Sequence, residues 1–142
     1  MKKVLVPFDG SESAKHALLY LVDLAEDMPG LEVHLVNVQA QPMLYGDYIT
    51  GPTLETLVDA ALEHARKLNA GGAAILRAHN IRTSTHELLG DTVSEIAKAV
   101  TQYDCDTVAM GTRGMNNLSN LVMGSVATRV VHQVPVPVLL VK

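Results

Sequence analysis

The stretch 107-TVAMGTRGMNNLSNLVMGSV-126 decides the fold. It opens on a short apolar run, Thr107 to Gly111, and closes on Gly124-Ser125, where a helical pattern of Ala127, Val130, Val131 and Val134 begins. A nearly continuous apolar strand suits a parallel sheet covered on both faces, because neither face meets water. Working outward, the chain offers further runs of this kind at Lys3–Phe8 (KVLVPF), Glu32–Val38 (EVHLVNV) and Pro137–Val141 (PVLLV). Arg82–Leu89 (RTSTHELL) is another strand candidate, with more alternation of polar and apolar residues.

Between these runs the apolar residues recur with the helical period. The first helix carries Ala14, Ala17, Leu18, Leu21, Leu24, Ala25 and Met28, with Ser11 as N-cap and Pro29-Gly30 as the stop. The second carries Leu54, Leu57, Val58, Ala61, Ala65 and Leu68 and extends toward Ala78. Gly71-Gly72 lies within it, and each glycine costs about 1 kcal/mol relative to alanine, so running through, breaking and kinking there are all open readings. The third carries Val93, Ile96, Ala97 and Val100 and starts near Asp91; the fourth starts near Ser125. Strands alternating with helices predict right-handed crossovers and a three-layer α/β/α sandwich. Two irregular stretches, 39–52 and 112–123, leave the carboxyl ends of strands, where open α/β sheets bind ligands.

Composition narrows the function. At 142 residues the chain has the size of one domain, 1–142, and its 48% hydrophobic content supplies a core. That core must be aliphatic, since Trp is absent. The net charge of −4, with Lys and Arg scattered along the chain, argues against a nucleic-acid partner. A single cysteine, Cys105, leaves no disulfide framework or metal knuckle and reads as a small buried hydrophobe. The opening MKKVLVPFDG lacks a signal-peptide pattern and no apolar stretch is long enough for a bilayer, so a soluble cytoplasmic protein is expected, with no membrane partner.

The chemistry lies in Gly111-Thr112-Arg113-Gly114, nine residues, then Gly124-Ser125, a G-x2-G-x9-G-S pattern. Gly111 ends a buried strand, where the missing Cβ would let a ligand approach the backbone. Gly114 permits a tight turn with inward N–H groups. Gly124-Ser125 opens a helix whose first N–H groups lack internal partners and carry the positive end of the macrodipole, which makes a phosphate site. The Ser125 hydroxyl either contacts a phosphate or caps the helix. The expectation is that amides of 111–114 and 124–126 converge on one anionic tail. Turn glycines in any α/β protein give the same pattern.

This segment resembles the nucleotide-binding signature of the universal stress protein family. The opening VLVPFDGSESA, Leu89-Gly90-Asp91, Asp104-Cys105-Asp106 and the ending VPVPVLLVK match that family too, so the likeness spans the chain. The resemblance implies a five-stranded parallel sheet of order 3-2-1-4-5, and, since the signature glycines are all present, membership among the ATP-binding members. By position it implies that Pro7, Phe8 and Asp9 line the adenosine, that Val38 meets adenine, and that Met110 and Gly111 pack under the nucleoside. Arg113 and Gly114 would flank the ribose and phosphates, and Gly124, Ser125 and Val126 would hold the phosphate tail. That strand order puts the first and fourth strands together where the winding reverses, the switch-point crevice.

The loop has no Lys, so triphosphate charge would fall to backbone amides, Arg113 and a bound Mg²⁺ or Mn²⁺, with Asp9 as the only carboxylate suggested for the metal. Asp9 is equally open to capping the helix that follows or forming a turn with Gly10. The histidines His16, His34, His64, His79, His86 and His132 form no ligand motif, and Walker A, GxGxxG and GxSxG patterns are absent. Tyr45 and Tyr48 are loop aromatics or stack on a base. In the implied order the last strand is an apolar edge. Members of the family commonly pair it antiparallel across a two-fold axis, which implies a homodimer through Val136–Lys142; otherwise Pro135 and Pro137 guard the edge.

The function expected from these readings is an ATP-binding regulatory or stress-response protein. No general base is evident, so hydrolysis should be slow. A weak ATPase or nucleotidyl transferase and a nucleotide-free dimeric interaction module are the alternatives. The sequence names no downstream protein partner.

Overall fold

The computed structural model describes residues 1–42, 51–113 and 123–142, the side chain of Pro52 aside. The elements run β1 (Lys3–Pro7), α1 (Glu12–Ala25), β2 (Glu32–Gln39), α2 (Gly51–Ala78), β3 (Arg82–Leu89), α3 (Thr92–Gln102), β4 (Thr107–Gly111), α4 (Ser125–Gln133) and β5 (Val138–Val141). The strands form one parallel sheet in the order β3-β2-β1-β4-β5, as the resemblance implied. β1 pairs Val4 with Val33 of β2 and Leu5 with Val108 of β4, so the winding reverses between β1 and β4.

Alternation of side chains sends each strand's residues to two cores. Val4, Val6, Val33 and Leu35 pack with Leu18, Leu21 and Leu76 under α1 and α2. Leu5, Val36, Val108 and Met110 pack with Val93, Ile96, Val100, Ala127 and Val130 under α3 and α4. Both are aliphatic, with Phe8 the only phenylalanine. The alternating pattern of Arg82–Leu89 has its cause in position: β3 is an edge strand, and none of its residues is fully buried.

The helix boundaries follow local chemistry. Ser11 caps α1 by accepting from the Ala14 N–H at 3.1 Å, and Asp91 caps α3 by accepting from the Ser94 N–H at 3.0 Å. α1 ends at Ala25, ahead of Pro29-Gly30; the intervening turn still packs Met28 on the core. α2 runs unbroken through Gly71-Gly72, the first of the open readings. The reason is packing: a Cβ on Gly72 would lie 3.0 Å from the Phe8 ring and 3.1 Å from Leu35, so glycine lets the helix lie close to the sheet. Gly71 faces open space.

Candidate functional site

The carboxyl ends of β1, β2 and β4 meet at one end of the sheet, and two helices begin there. α1 starts after a turn set by Gly10, at φ +78°, with Asp9 Oδ1 accepting from the Ser11 N–H at 2.9 Å. That is the turn-forming reading of Asp9; it engages one carboxylate oxygen. α4 starts at Ser125, with Gly124 in the N-cap position and no side-chain cap. Ser125 is therefore not the cap, because it already belongs to the helix. The N–H groups of Ser125, Val126 and Ala127 have no acceptor among the described residues.

The two glycine stretches are adjacent. The Gly124 N–H donates to the Thr112 carbonyl at 2.7 Å. The expected convergence of amides is nevertheless only partial. Thr112 N–H donates to the Val141 carbonyl at 3.0 Å and Arg113 N–H to Ser13 Oγ at 3.2 Å. With Gly124 N–H also used, the donors left for an anion sit at the start of α4 rather than in 111–113. Gly114 lies outside the described residues, as do Tyr45 and Tyr48.

Gly111 is constrained by packing within the chain. A Cβ there would stand 2.3 Å from Ser13 Oγ and 2.6 Å from the Ser13 carbonyl carbon and oxygen. The start of α1 occupies that space. Ser13 is thus the residue that sequence reading passed over: it sits against Gly111 and holds the Arg113 backbone, bringing the α1 N-terminus to the end of β4.

Pro7, Val38 and Met110 share the α3–α4 face of the sheet. Met110 belongs to the core there, Val38 packs against it, and Pro7 lies two residues beyond the core residue Leu5. Pro7 and Val38 are half-buried, and Met110 is buried. Phe8 points the other way into the α1–α2 core. Its N–H donates to the Val36 carbonyl at 2.9 Å and its carbonyl accepts from Asn37 Nδ2 at 2.7 Å, so it anchors the end of β1. Asn37 Oδ1 accepts in turn from Gln39 Nε2 at 2.6 Å. Arg113, Ser125 and Val126 are exposed, and Arg113 has no ion pair among the described residues.

Among the described residues no group of three or more His, Cys, Asp or Glu side chains could hold a metal ion. Cys105 is buried just ahead of β4, and burial pushes its thiol up to about 11, so it is a packing residue. Among the described residues no helix is long and apolar enough to cross a membrane.

Residues 1–142 match the universal stress protein family along their whole length. The chain belongs to that family. A universal stress protein of Thermus aquaticus is 33% identical over 99% of this chain and 98% of its own length. Among solved structures, the hypothetical protein MJ0577 superposes with a TM-score of 0.83 at 26% identity, covering 99% of this chain and 95% of that one. A universal stress protein from Archaeoglobus fulgidus, solved in complex with dAMP, shares the fold at a TM-score of 0.68 and 19% identity, covering 100% and 98%. The family name thus agrees with the resemblance carried by the glycine signature and the chain's two ends.

Proposed function

We propose that this universal stress protein binds an adenine nucleotide, ATP, at the carboxyl ends of β1, β2 and β4, with the whole of 1–142 acting as one nucleotide-binding domain. The observation that carries the reading is the meeting of two helix N-termini at the β1–β4 switch point: α1 through Ser13 and Arg113, α4 through Gly124 and Thr112. Pro7, Val38 and Met110 offer an apolar face for the base, with Gly111 beside them at the end of β4. Ser125 and Val126 offer backbone donors to phosphate, and Arg113 would flank the ribose and phosphates; Gly114, assigned the same role by the resemblance, lies outside the described residues. The Archaeoglobus fulgidus relative held with dAMP supports an adenine ligand for this fold.

A Mg²⁺ or Mn²⁺ fits this set as a companion of the phosphates only. The free oxygen of Asp9 would supply one carboxylate and the phosphates most other ligands, a usual pattern for Mg²⁺. The ion would offset phosphate charge that Arg113 alone does not match. The protein acts in this reading as a cytoplasmic regulator whose nucleotide occupancy is read by a partner, and a homodimer forms through Val136–Lys142, since β5 is a sheet edge.

Isothermal titration of the purified protein with ATP and Mg²⁺ should give micromolar-range affinity, and ATP at 100 times Kd should add about 2.7 kcal/mol of stability. Gly124→Val should abolish both while the fold survives. No heat, no retained nucleotide and an unchanged melting temperature would instead favour the reading in which the glycines are structural, which the Ser13 contact already favours for Gly111.

A further inference from the structure

Far from the β1–β4 crevice, β2, β3 and the end of α3 bring together side chains that the sequence scatters. Glu32 Oε1 lies 2.9 Å from His34 Nε2, and His34 Nδ1 lies 3.0 Å from His86 Nε2. The Tyr103 ring stacks on His86 with centroids 3.7 Å apart and planes 13° from parallel. His34 is 7% exposed and His86 is half-buried on the edge strand. The charged and titratable groups around the pair are Glu32 on β2, Arg82 and Glu87 on β3, Lys3 on β1, Tyr103 after α3, and Cys105 next to Glu32.

Proton counting fixes how this row works. A carboxylate only accepts, so His34 Nε2 carries a hydrogen toward Glu32. The 3.0 Å gap between the imidazoles then holds one proton. With both rings neutral, His86 Nε2–H donates to His34 Nδ1. With one proton added, His34 becomes the cation, held by Glu32, and donates to His86. A second added proton puts two N–H groups and two positive charges face to face, and the hydrogen bond cannot survive.

We propose that His34 and His86 form a one-proton latch fastening edge strand β3 and the Tyr103 end of α3 to the sheet, which opens when both imidazoles are protonated. His86 is the partner that leaves, because it sits half-exposed on the edge while His34 is enclosed and paired with Glu32. Its departure removes the nearer of the two rings stacked on Tyr103. Burial first, and then the neighbouring His34, hold His86 below the ordinary imidazole range, so the folded chain resists the second proton.

Imidazole nitrogen NMR of the full chain across pH 8 to 4.5 tests this, where about 6.5 is the ordinary imidazole value. In the unaltered protein His34 and His86 should move together in two steps more than about one pH unit apart, with the Tyr103 ring signals shifting on the second. In His86→Gln, His34 should titrate in one step. Two independent single-step curves, or curves that ignore the partner's removal, overturn the latch. Amide hydrogen exchange on the unaltered protein gives a second reading: acidification should strip protection from β3 and the end of α3 selectively. Uniform loss, or none, also overturns it.

Discussion

Gly111→Ala should destabilise the ligand-free protein, through Ser13. The added Cβ would stand 2.6 Å from the Ser13 carbonyl carbon and oxygen and 2.3 Å from Oγ. Carbon atoms pack best at 3.5–4.0 Å, so the backbone contact alone is about 1 Å too short. A rotamer change relieves the Oγ contact but leaves the carbonyl in place. Either the start of α1 or the end of β4 must move, in an interior packed as densely as an organic crystal. Overpacking costs about 1–3 kcal/mol, and with backbone on both sides the upper end, about 3 kcal/mol, is expected. At roughly 3–4 °C per kcal/mol for a chain of this size, Tm should fall by about 10 °C.

Urea denaturation of the nucleotide-free protein measures this as a lower midpoint at unchanged slope. Ser13→Ala alone should cost only about 1 kcal/mol, for the hydrogen bond from Arg113. Adding Ser13→Ala to Gly111→Ala should recover the Oγ part and little more, because the carbonyl stays. If Gly111→Ala melts within about 0.5 kcal/mol of the parent yet loses ATP, the argument fails and the glycine is kept for the ligand.

Neighbouring glycines in α2 should respond differently: Gly71→Ala, into open space, should add about 0.8–1 kcal/mol, while Gly72→Ala, which presses on the Phe8 ring and Leu35, should fall short of that gain in the same denaturation assay. Stability should fall as pH drops below about 6.5, because His86 is depressed in the folded state and its contribution is present only above the unfolded value; His86→Gln should flatten this segment of a Tm-against-pH curve. A second loss should begin below about pH 4.5 and proceed through the lowered folded values of Glu32, Asp91 and Asp106, whose carboxylates accept hydrogen bonds from His34, Ser94 and Thr107 respectively. Cys105, buried and with its thiol at about 11, should resist a thiol-reactive chromogen at pH 8 in the folded chain and react fully in urea.

The fold was legible because its signals are local. Continuous apolar strands, the Ser11 and Asp91 caps and helical periodicity each act within a few residues, and the elements they predict are present with ends shifted by a residue or a few. What escaped was set by contacts between distant segments. α2 survives Gly71-Gly72 because Phe8, more than sixty residues earlier, fills the space beside Gly72. His34 and His86 meet because β2 and β3 pair in a register that no spacing along the chain encodes. Ser13 gave no signal of its own, since its partners Gly111 and Arg113 lie at the far end of another strand.

The signature glycine and the missed serine are one device. Gly111 lacks a Cβ so that Ser13 can enter, and Ser13, once there, fixes the Arg113 backbone. A glycine read from the sequence as an opening for a ligand is thus an opening for a helix. The effect on the site is the same in direction: the positive end of α1 is drawn to the mouth of β4, beside the uncapped start of α4. Gly124, by donating to Thr112, ties the start of α4 to the end of β4, leaving the amides of Ser125 and Val126 without acceptors among the described residues. In the proposed reading, Gly111 and Gly124 would therefore serve an anion through packing before hydrogen bonds. A substitution at Gly111 should weaken nucleotide binding only to the extent that it displaces α1, and the two losses should scale together across a series of side chains at that position.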